Sequence, residues 1–308
     1  MNHTPQAHPQ DTLVPLGWHE QAREALKQTR RPLLLVGPPG SGKSTFAHAA
    51  AYEATGRGPE VIHGNPQTEE RHIWSDRTLD PQQGLRWVDG PLPRSLKRGR
   101  WLLIEEVNQI PPEILGQLLQ LRLDSYQQHT IINLATGERI PVPERWRVIL
   151  TANPQSLRCF SSPRTAAVRA LLDGCLVLEV PAMNRFQLEQ LLQQQFGHAA
   201  EAQEAIQRAL HLWEKLEEAR RSHQGVPAPS LRAVAEAVRL QLAGVDWQQA
   251  AQMALVGKYI LDEDLYQSVQ LEMSLGEDEE EEEEDWDAGE EEDWDEEDDE
   301  DWDEEEDA

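Results

Sequence analysis

The stretch Leu33-Leu34-Leu35-Val36-Gly37-Pro38-Pro39-Gly40-Ser41-Gly42-Lys43-Ser44-Thr45 decides the fold. A short apolar run meets a glycine-rich loop, and the loop opens onto a helix-like segment, Thr45 to Glu53. The spacing fits G-x-x-x-x-G-K-[ST], the phosphate-binding P-loop. Glycine lets such a loop wrap closely, so its N–H groups and the positive end of the following helix point at one anion. The stretch therefore predicts a strand, a phosphate-binding loop and a helix.

The P-loop assigns a role to each of its polar side chains. Lys43 is expected to reach the β- and γ-phosphates, and the Ser44 hydroxyl to hold Mg²⁺, so the expected cofactors are ATP and Mg²⁺. The loop alone leaves GTP open as the nucleotide. A chance glycine turn before a helix is the alternative, but the complete match in a strand–loop–helix context favours the P-loop. The residues predicted to bind the nucleotide are Gly37, Pro38, Pro39, Gly40, Ser41, Gly42, Lys43, Ser44 and Thr45.

A second element pairs a hydrophobic strand, Trp101 to Ile104, with two acids, Glu105 and Glu106. A strand that ends in two acids is the pattern of a Walker B element. Glu105 would lie near Mg²⁺ through water, and Glu106 would polarise the attacking water. The usual first acid is Asp, and the extra methylene of Glu105 leaves the Mg²⁺ geometry open. Two exposed acids at a strand end are the alternative, which the upstream P-loop disfavours.

The net charge of −28 is a property of the C-terminus and not of the whole chain. Residues Glu277 to Ala308 contain 26 acids and no Lys or Arg, so 56 − 26 = 30 acids remain against 28 bases. The body is therefore nearly neutral and offers no basic footprint, so a nucleic-acid partner is not expected. The tail should be disordered and extended. Its three Asp-Trp-Asp repeats fit either a solubilising tail or anchors for a basic protein surface.

Composition also bounds the location of the protein. No run of 18 apolar residues is present, which excludes a predicted transmembrane helix. The segment from Met1 to Asp11 has no apolar signal core, so a cytoplasmic location is expected. Cys159 and Cys175 lack metal-ligand spacing and are expected to be reduced, partly buried thiols.

Periodicity divides the chain into four parts: a disordered N-terminus (1–12), an α/β nucleotide-binding domain (13–182), a helical lid (183–275) and the acidic tail (276–308). The expected fold class is thus α/β, a P-loop parallel sheet flanked by helices and followed by a small all-α lid. Residues 65–97 are expected to be irregular. Further segments have the pattern of regular elements: strands at 60–64, 130–134, 140–142, 147–151 and 176–180, and helices at 18–29, 112–123, 186–196, 199–221, 230–243 and 247–255.

The order of these motifs resembles an AAA+ ATPase, and more closely the MoxR branch that includes CbbQ, NirQ and NorQ, related to the dynein-like modules. The resemblance covers roughly residues 13–270. It rests on the P-loop and on five further stretches: Trp87-Val88-Asp89-Gly90-Pro91-Leu92, Leu103-Ile104-Glu105-Glu106-Val107-Asn108, Pro112-Glu113-Ile114-Leu115, Val148-Ile149-Leu150-Thr151-Ala152-Asn153-Pro154 and Pro229-Ser230-Leu231-Arg232.

The resemblance implies further site residues. Asn153 corresponds to sensor 1, which orients the water and the γ-phosphate, and Arg232 to the sensor 2 arginine at the start of a lid helix; a surface arginine is the alternative for Arg232. The family usually has an Arg-Phe pair just before the fifth strand, where this chain has Asp173-Gly174-Cys175. Arg169, or else Arg164, is therefore expected to supply the arginine finger to a neighbouring subunit.

The resemblance implies an ATP-driven, chaperone-like remodelling motor that forms a ring, expected to be a hexamer. It would act on a protein substrate with a von Willebrand factor A-type partner and activate or mature another enzyme. A nucleotide-dependent switch or scaffold with little hydrolysis is the alternative, favoured by the missing Arg-Phe pair and by Glu105. A GTP-dependent motor of a nuclease complex is a third possibility, for which no nuclease motif is visible.

Overall fold

The computed structural model describes residues 16–80, 84–118, 121, 130–153, 169–170, 172–221, 229–260 and 266–267. Within these ranges an α/β part precedes a helical part. The α/β part contains α1 (Gly17–Gln28), β1 (Leu33–Val36), α2 (Lys43–Thr55), β2 (Glu60–His63), α3 (Glu70–Ile73), β3 (Ser75–Asp80), β4 (Gly84–Asp89), α4 (Pro91–Arg98), β5 (Leu102–Glu105), a 3₁₀ turn (Val107–Gln109), α5 (Pro112–Leu118), β6 (Thr130–Ile132), β7 (Arg139–Pro141), β8 (Val148–Ala152) and β9 (Leu176–Glu179).

Five parallel strands form the central sheet in the order β2-β5-β8-β1-β9. The strand of the P-loop, β1, is thus separated from the acidic strand, β5, by β8. Leu33 of β1 is in register with Ile149 of β8 and with Leu176 of β9. Parallel register brings the carboxyl ends of the strands to one edge, where ligands bind in open α/β sheets.

Side chains of the central strands alternate between two apolar cores because successive residues of a strand point to opposite faces. Leu34 of β1 and Ile104 of β5 pack on one face with α4, α5 and the β6–β7 hairpin. Leu33 and Leu35 of β1 and Leu103 of β5 pack on the other face with α1 and α2. Burial on both faces explains why these strands are continuous apolar runs and not alternating ones.

The helical part has a core of its own. It contains α6 (Arg185–Phe196), α7 (Ala200–Arg221), α8 (Leu231–Leu242), α9 (Trp247–Ala254) and a 3₁₀ turn (Val256–Tyr259). The predicted caps are confirmed: the Ser230 and Asp246 side chains accept the backbone N–H groups of Ala233 and Gln249, each at 3.3 Å. Met183 packs against both this core and the α1–α2 core. The predicted fold class, a parallel sheet flanked by helices with a helical C-terminal part, is confirmed.

The expectation of irregular structure at 65–97 is wrong. This segment folds into α3, the antiparallel β3–β4 hairpin and α4. The hairpin escapes prediction because it buries neither face: Leu79, Leu85 and Trp87 are 73%, 64% and 44% exposed. α4 is only eight residues long and contains two prolines, one of them in its first position after Gly90.

Several sequence expectations fall partly outside the described residues. Helix α5 is described to Leu118, short of the expected end at Leu123. Cys175 is a buried cysteine that forms no disulfide, whereas Cys159 is outside the described residues. Segments 1–12 and 276–308 are also outside, so the disorder and the domain limits assigned to them stay predictions. Within the described part, no helix is long and apolar enough to cross a membrane.

His19 makes the stability of the fold dependent on pH. Its Nδ1 accepts the N–H of Leu16 at 3.2 Å, and its ring stacks on Phe46. Burial, and secondarily the Arg23 cation, lower its pKa from 6.5 to about 4. The unfolded chain therefore binds this proton more tightly than the folded one, and the stabilisation present above pH 6.5 is lost as the pH falls towards 4.

We expect His19 to account for about 2 kcal/mol of the free energy of unfolding lost between about pH 7.5 and 5. His19→Asn keeps an oxygen that can accept the Leu16 N–H and should flatten this part of the pH profile in urea unfolding. The control is His72→Asn, because His72 accepts the Glu69 N–H at 3.1 Å in the same geometry but at an exposed position. Equal flattening in both variants would contradict the assignment.

Candidate functional site

The P-loop follows β1 at the carboxyl edge of the sheet. The Gly37 N–H donates to the carbonyl of Ala152 in β8 at 3.2 Å, and a Cβ on Gly37 would lie 2.4 Å from the carbonyl oxygen of Val180. Gly40 and Gly42 have φ angles of +75° and +83°, which other residues rarely adopt. The glycines are therefore required by the tight packing of the loop and by its left-handed turns.

Lys43 folds back onto the loop. Its Nζ donates to the carbonyl oxygens of Gly37 at 2.8 Å and Pro38 at 2.6 Å, and to the Ser41 hydroxyl at 3.2 Å. Burial lowers the pKa of Lys43 to about 8, and the charge of Glu106 opposes this shift. The ammonium group is thus half-buried beside oxygen acceptors, in a loop whose N–H groups and helix dipole suit an anion. Phosphate oxygens can replace these carbonyls as its partners.

The two acids after β5 have different surroundings. Glu105 is half-buried, and one of its oxygens lies 2.6 Å from Nδ1 of His63, its register partner at the end of β2. Glu106 is exposed and has φ +48° and ψ +47°, the only positive φ at a non-glycine residue in the described ranges. Backbone strain of this kind is concentrated at functional sites, which supports the interpretation of Glu106 as a site residue.

A polar network joins the acidic strand to β8. The N–H of Glu106 donates to the Thr151 hydroxyl at 3.2 Å, and the Asn108 side-chain oxygen accepts the N–H of Asn153 at 3.4 Å. Asn153 immediately follows β8, which lies between β1 and β5. Glu106 and Asn153 are therefore held on neighbouring strand ends next to the P-loop. The electrostatic interaction of Glu106 with Lys43 agrees with this placement.

The helical part closes over the P-loop. A Cβ on Gly40 would lie 3.1 Å from the N atom of Leu231, the first residue of α8, and 3.2 Å from Cβ of Ser230. Arg232 is exposed on the first turn of the same helix. A cleft of about 650 Å³ separates the loop from α6 and α7 and is lined by Pro39, Ser41, Met183, Leu188, Trp213 and Glu217.

The oxygen donors at this edge fit Mg²⁺. Magnesium uses few protein ligands and completes its octahedron with waters and substrate phosphates. Ser44 lies in the first turn of α2 and Glu105 at the end of β5, and both supply oxygen atoms. Among the described residues, no group of three or more His, Cys, Asp or Glu could hold a metal ion. Phosphate oxygens of the nucleotide and waters would complete the coordination of a magnesium ion held by Ser44 and Glu105.

The two candidates for the arginine finger differ in whether the structure describes them. Arg169 is exposed, and Arg164 lies outside the described residues. His63 and Thr151, the partners of Glu105 and Glu106, were not predicted as site residues. Each lies at the carboxyl end of a predicted strand, and this position was the signal that could have identified them as site residues. Their contacts with Glu105 and Glu106, however, depend on the order of the strands in the sheet.

Known proteins resemble part of this chain. Residues 32–169 match the family model of the AAA domain, dynein-related subfamily. A midasin of Giardia intestinalis is 34% identical over 127 residues, which is 41% of this chain and 2% of that protein. An uncharacterised protein of Staphylococcus aureus strain USA300 is 31% identical over 134 residues, 42% of this chain and 49% of that protein. The chain thus spans half or less of these relatives.

Among solved structures, NtrX from Brucella abortus in complex with ATP is similar over 77% of this chain and 55% of its own, with 17% identity and a TM-score of 0.47. The family match begins one residue before β1 and includes the P-loop, both acids and Asn153. The helical part with Arg232 lies beyond the match.

Replacing Lys43 tests the site most simply. Lys43→Ala removes the only cation placed inside the loop among the described residues, and we expect the affinity for ATP to fall at least about 100-fold. Isothermal titration calorimetry with ATP and Mg²⁺ measures the change. Lys27→Ala, at an exposed position in the last turn of α1, is the control and should bind like the parent. Unchanged affinity of the Lys43 variant would exclude the loop as the phosphate site.

Proposed function

We propose that this chain is an ATP-hydrolysing AAA+ motor of the MoxR branch that remodels a protein substrate. The observation that carries the proposal is the convergence of Lys43, Glu106 and Asn153 at the carboxyl edge of one sheet, beneath a helical lid. The AAA-domain match over residues 32–169 supports a nucleotide-dependent activity.

Each residue would have a distinct task. Lys43 would exchange the carbonyls of Gly37 and Pro38 for the β- and γ-phosphates, as its half-buried ammonium has room for stronger acceptors. Ser44 and Glu105 would hold Mg²⁺, which neutralises phosphate charge. Glu106 would accept the proton of the attacking water, and Asn153 would orient that water against the γ-phosphate.

The lid would convert hydrolysis into motion. Leu231 begins α8 directly against Gly40, so a change in the loop on phosphate release is passed to the lid helices without an intervening element. Arg232, on the same helix turn, would grip phosphate oxygens with its planar guanidinium group. The angle between sheet and lid would then depend on the nucleotide state.

An exposed apolar hairpin supports a protein as the substrate. Leu79 and Leu85 face each other across β3 and β4, and Trp87 lies under the Arg77 guanidinium at 4.6 Å. Large exposed apolar groups on one element indicate an interaction surface. By the family resemblance, we propose a cytoplasmic hexameric ring that works with a von Willebrand factor A-type partner to activate or mature another enzyme, with the acidic tail contacting a basic protein surface.

A switch or scaffold that hydrolyses little is the second candidate. Two observations favour it: Glu105 is engaged by His63, and Asp173-Gly174-Cys175 replaces the Arg-Phe pair. A GTP-dependent motor of a nuclease complex is the third candidate, because a P-loop would bind the phosphates and not the base and so does not distinguish ATP from GTP. Steady-state turnover of ATP and of GTP by the purified protein, with and without a candidate partner, separates these three functions.

Glu106→Gln should retain ATP and hydrolyse it at least about 100-fold more slowly, because an amide cannot accept the proton of water. Phosphate release measures turnover, and a fluorescent ATP analogue measures binding. Glu113→Gln, an exposed acid in the first turn of α5, is the control and should turn over normally. Normal turnover in the Glu106 variant would move the catalytic base to another residue.

The oligomeric state tests the proposed motor function, because Arg169 of a neighbouring subunit would complete the nucleotide site. A non-hydrolysable ATP analogue should promote formation of a ring at micromolar protein concentration, which sedimentation velocity detects. A strict monomer with and without nucleotide would count against the motor.

Lys43→Ala and Arg169→Ala should each be inactive alone. Mixed together they should recover activity, since the intact loop of one subunit meets the intact arginine of the other. No recovery would remove Arg169 from the role of arginine finger.

A further inference from the structure

A cluster of three arginines surrounds one acid at the edge of the sheet. Glu60, the first residue of β2, has a side chain only 8% exposed. Its carboxylate accepts hydrogen bonds from Nε of Arg94 at 3.0 Å and from Arg100 at 3.3 Å, and Arg98 lies 3.7 Å away. We refer to these three residues, Arg94, Arg98 and Arg100, as the arginine cluster.

The arginine cluster has more positive charge than its own acid can balance. Three guanidinium groups face one carboxylate, which leaves two positive charges in excess. Each guanidinium carries five N–H donors, so most donors of the cluster have no use on Glu60. Nε of Arg100 is buried and has no hydrogen-bond partner. Arg23 and Arg71 differ, since each pairs with an acid of its own.

Among the described residues, Glu60 is the only acid that forms an ion pair with the arginine cluster. Lys97 lies on the same helix, but its ammonium is engaged by Asp89 and Glu138, each at 2.8 Å. Arg98 is the most accessible of the three: its side chain is 56% exposed, against 37% for Arg94 and 33% for Arg100, and it lies at the C-terminal end of α4. The cluster is therefore a cationic surface able to take additional carboxylates in the forked geometry that arginine favours.

The chain carries an anion of matching chemistry. Glu277 to Ala308 has 26 acids without a single Lys or Arg, while the rest of the chain is nearly neutral. The 32 residues of this tail span at most roughly 110 Å when extended, enough to reach the far side of the domain or a neighbouring subunit. Guanidinium planes also stack on indole rings, which suits the Asp-Trp-Asp repeats at Trp286, Trp294 and Trp302.

We propose that the acidic tail, Glu277 to Ala308, docks on the arginine cluster of its own or a neighbouring subunit. Tail carboxylates occupy the free guanidinium donors of Arg94, Arg98 and Arg100. Glu60 lies at the amino end of β2, whereas the P-loop and Glu105 follow the carboxyl ends of their strands. Docking therefore leaves the nucleotide cleft uncovered, and this interaction is independent of the proposed ATPase chemistry.

The test uses carbodiimide, which joins a carboxylate to an amine in direct contact with it. In the full-length chain, Arg98→Lys keeps the positive charge, supplies the amine and leaves Arg94 and Arg100 on Glu60. Arg208→Lys is the matched control, since Arg208 is a partly exposed arginine of α7, 40% exposed, and lies 3.1 Å from the single acid Glu204. Mass spectrometry of the digested products identifies which tail peptides are joined to position 98 or 208.

We expect links between the tail and position 98 to exceed those at position 208 by about tenfold at low salt, and to disappear near 0.5 M salt because the charges are screened. Mixing ¹⁵N-labelled and unlabelled chains separates links within a subunit from links between subunits, and either pattern supports docking. Equal yields at the two positions at every salt concentration would overturn the proposal. ATP affinity, measured in the same samples, should match the parent; a loss there would refute the placement of the cluster away from the nucleotide cleft.

Discussion

The parallel register of the central sheet is the constraint on which the site depends. β1, β8 and β5 lie side by side, and predicted site residues stand at the carboxyl end of each strand: the P-loop after β1, Asn153 after β8, and Glu105 and Glu106 at the end of β5. A slip of one residue would turn every side chain of the strand to the opposite core. Because Leu34 and Leu35 pack into different cores, the burial of these leucines also fixes the position of the loop.

Close backbone contacts fix the geometry of the carboxyl edge of the sheet at Glu105 and Glu106. A Cβ on Gly64 would lie 2.4 Å from the carbonyl oxygen of Glu106 and 2.7 Å from that of Glu105. The chain after β2 therefore lies directly on the acidic turn, and His63 is placed beside Glu105. Glu106 holds a left-handed conformation that costs about 1–3 kcal/mol for such a residue. The hydrogen bond from its N–H to Thr151 helps to hold it there.

Short stretches of sequence were sufficient to predict those features whose structure is determined by neighbouring residues. The P-loop could be predicted because glycines at positions of positive φ and a following helix form one continuous signal. The strands of the sheet were visible as apolar runs, and Ser230 and Asp246 marked helix starts. The roles of Asn153 and Arg232 came from the family resemblance and stay predictions. Asn153 directly follows β8, and Arg232 lies in the first turn of α8, whose first residue contacts Gly40.

The sequence was insufficient where contacts depend on which strands are neighbours. The pair of His63 and Glu105 requires β2 next to β5, which no local pattern states. The β3–β4 hairpin is exposed on both faces and lacks the alternation that marks a half-buried strand. The arginine cluster combines Glu60 with residues 34 and 40 positions away, so its excess charge appears only after folding.

The central claim, that the loop at the end of β1 binds the triphosphate of a nucleotide, is tested most directly by a structure determined with a non-hydrolysable ATP analogue and Mg²⁺. In that complex we expect Nζ of Lys43 to leave the carbonyls of Gly37 and Pro38 for the phosphates. We also expect Mg²⁺ on the Ser44 hydroxyl and Arg232 within reach of the γ-phosphate. A triphosphate bound elsewhere, with Lys43 still on its own loop carbonyls, would contradict this claim.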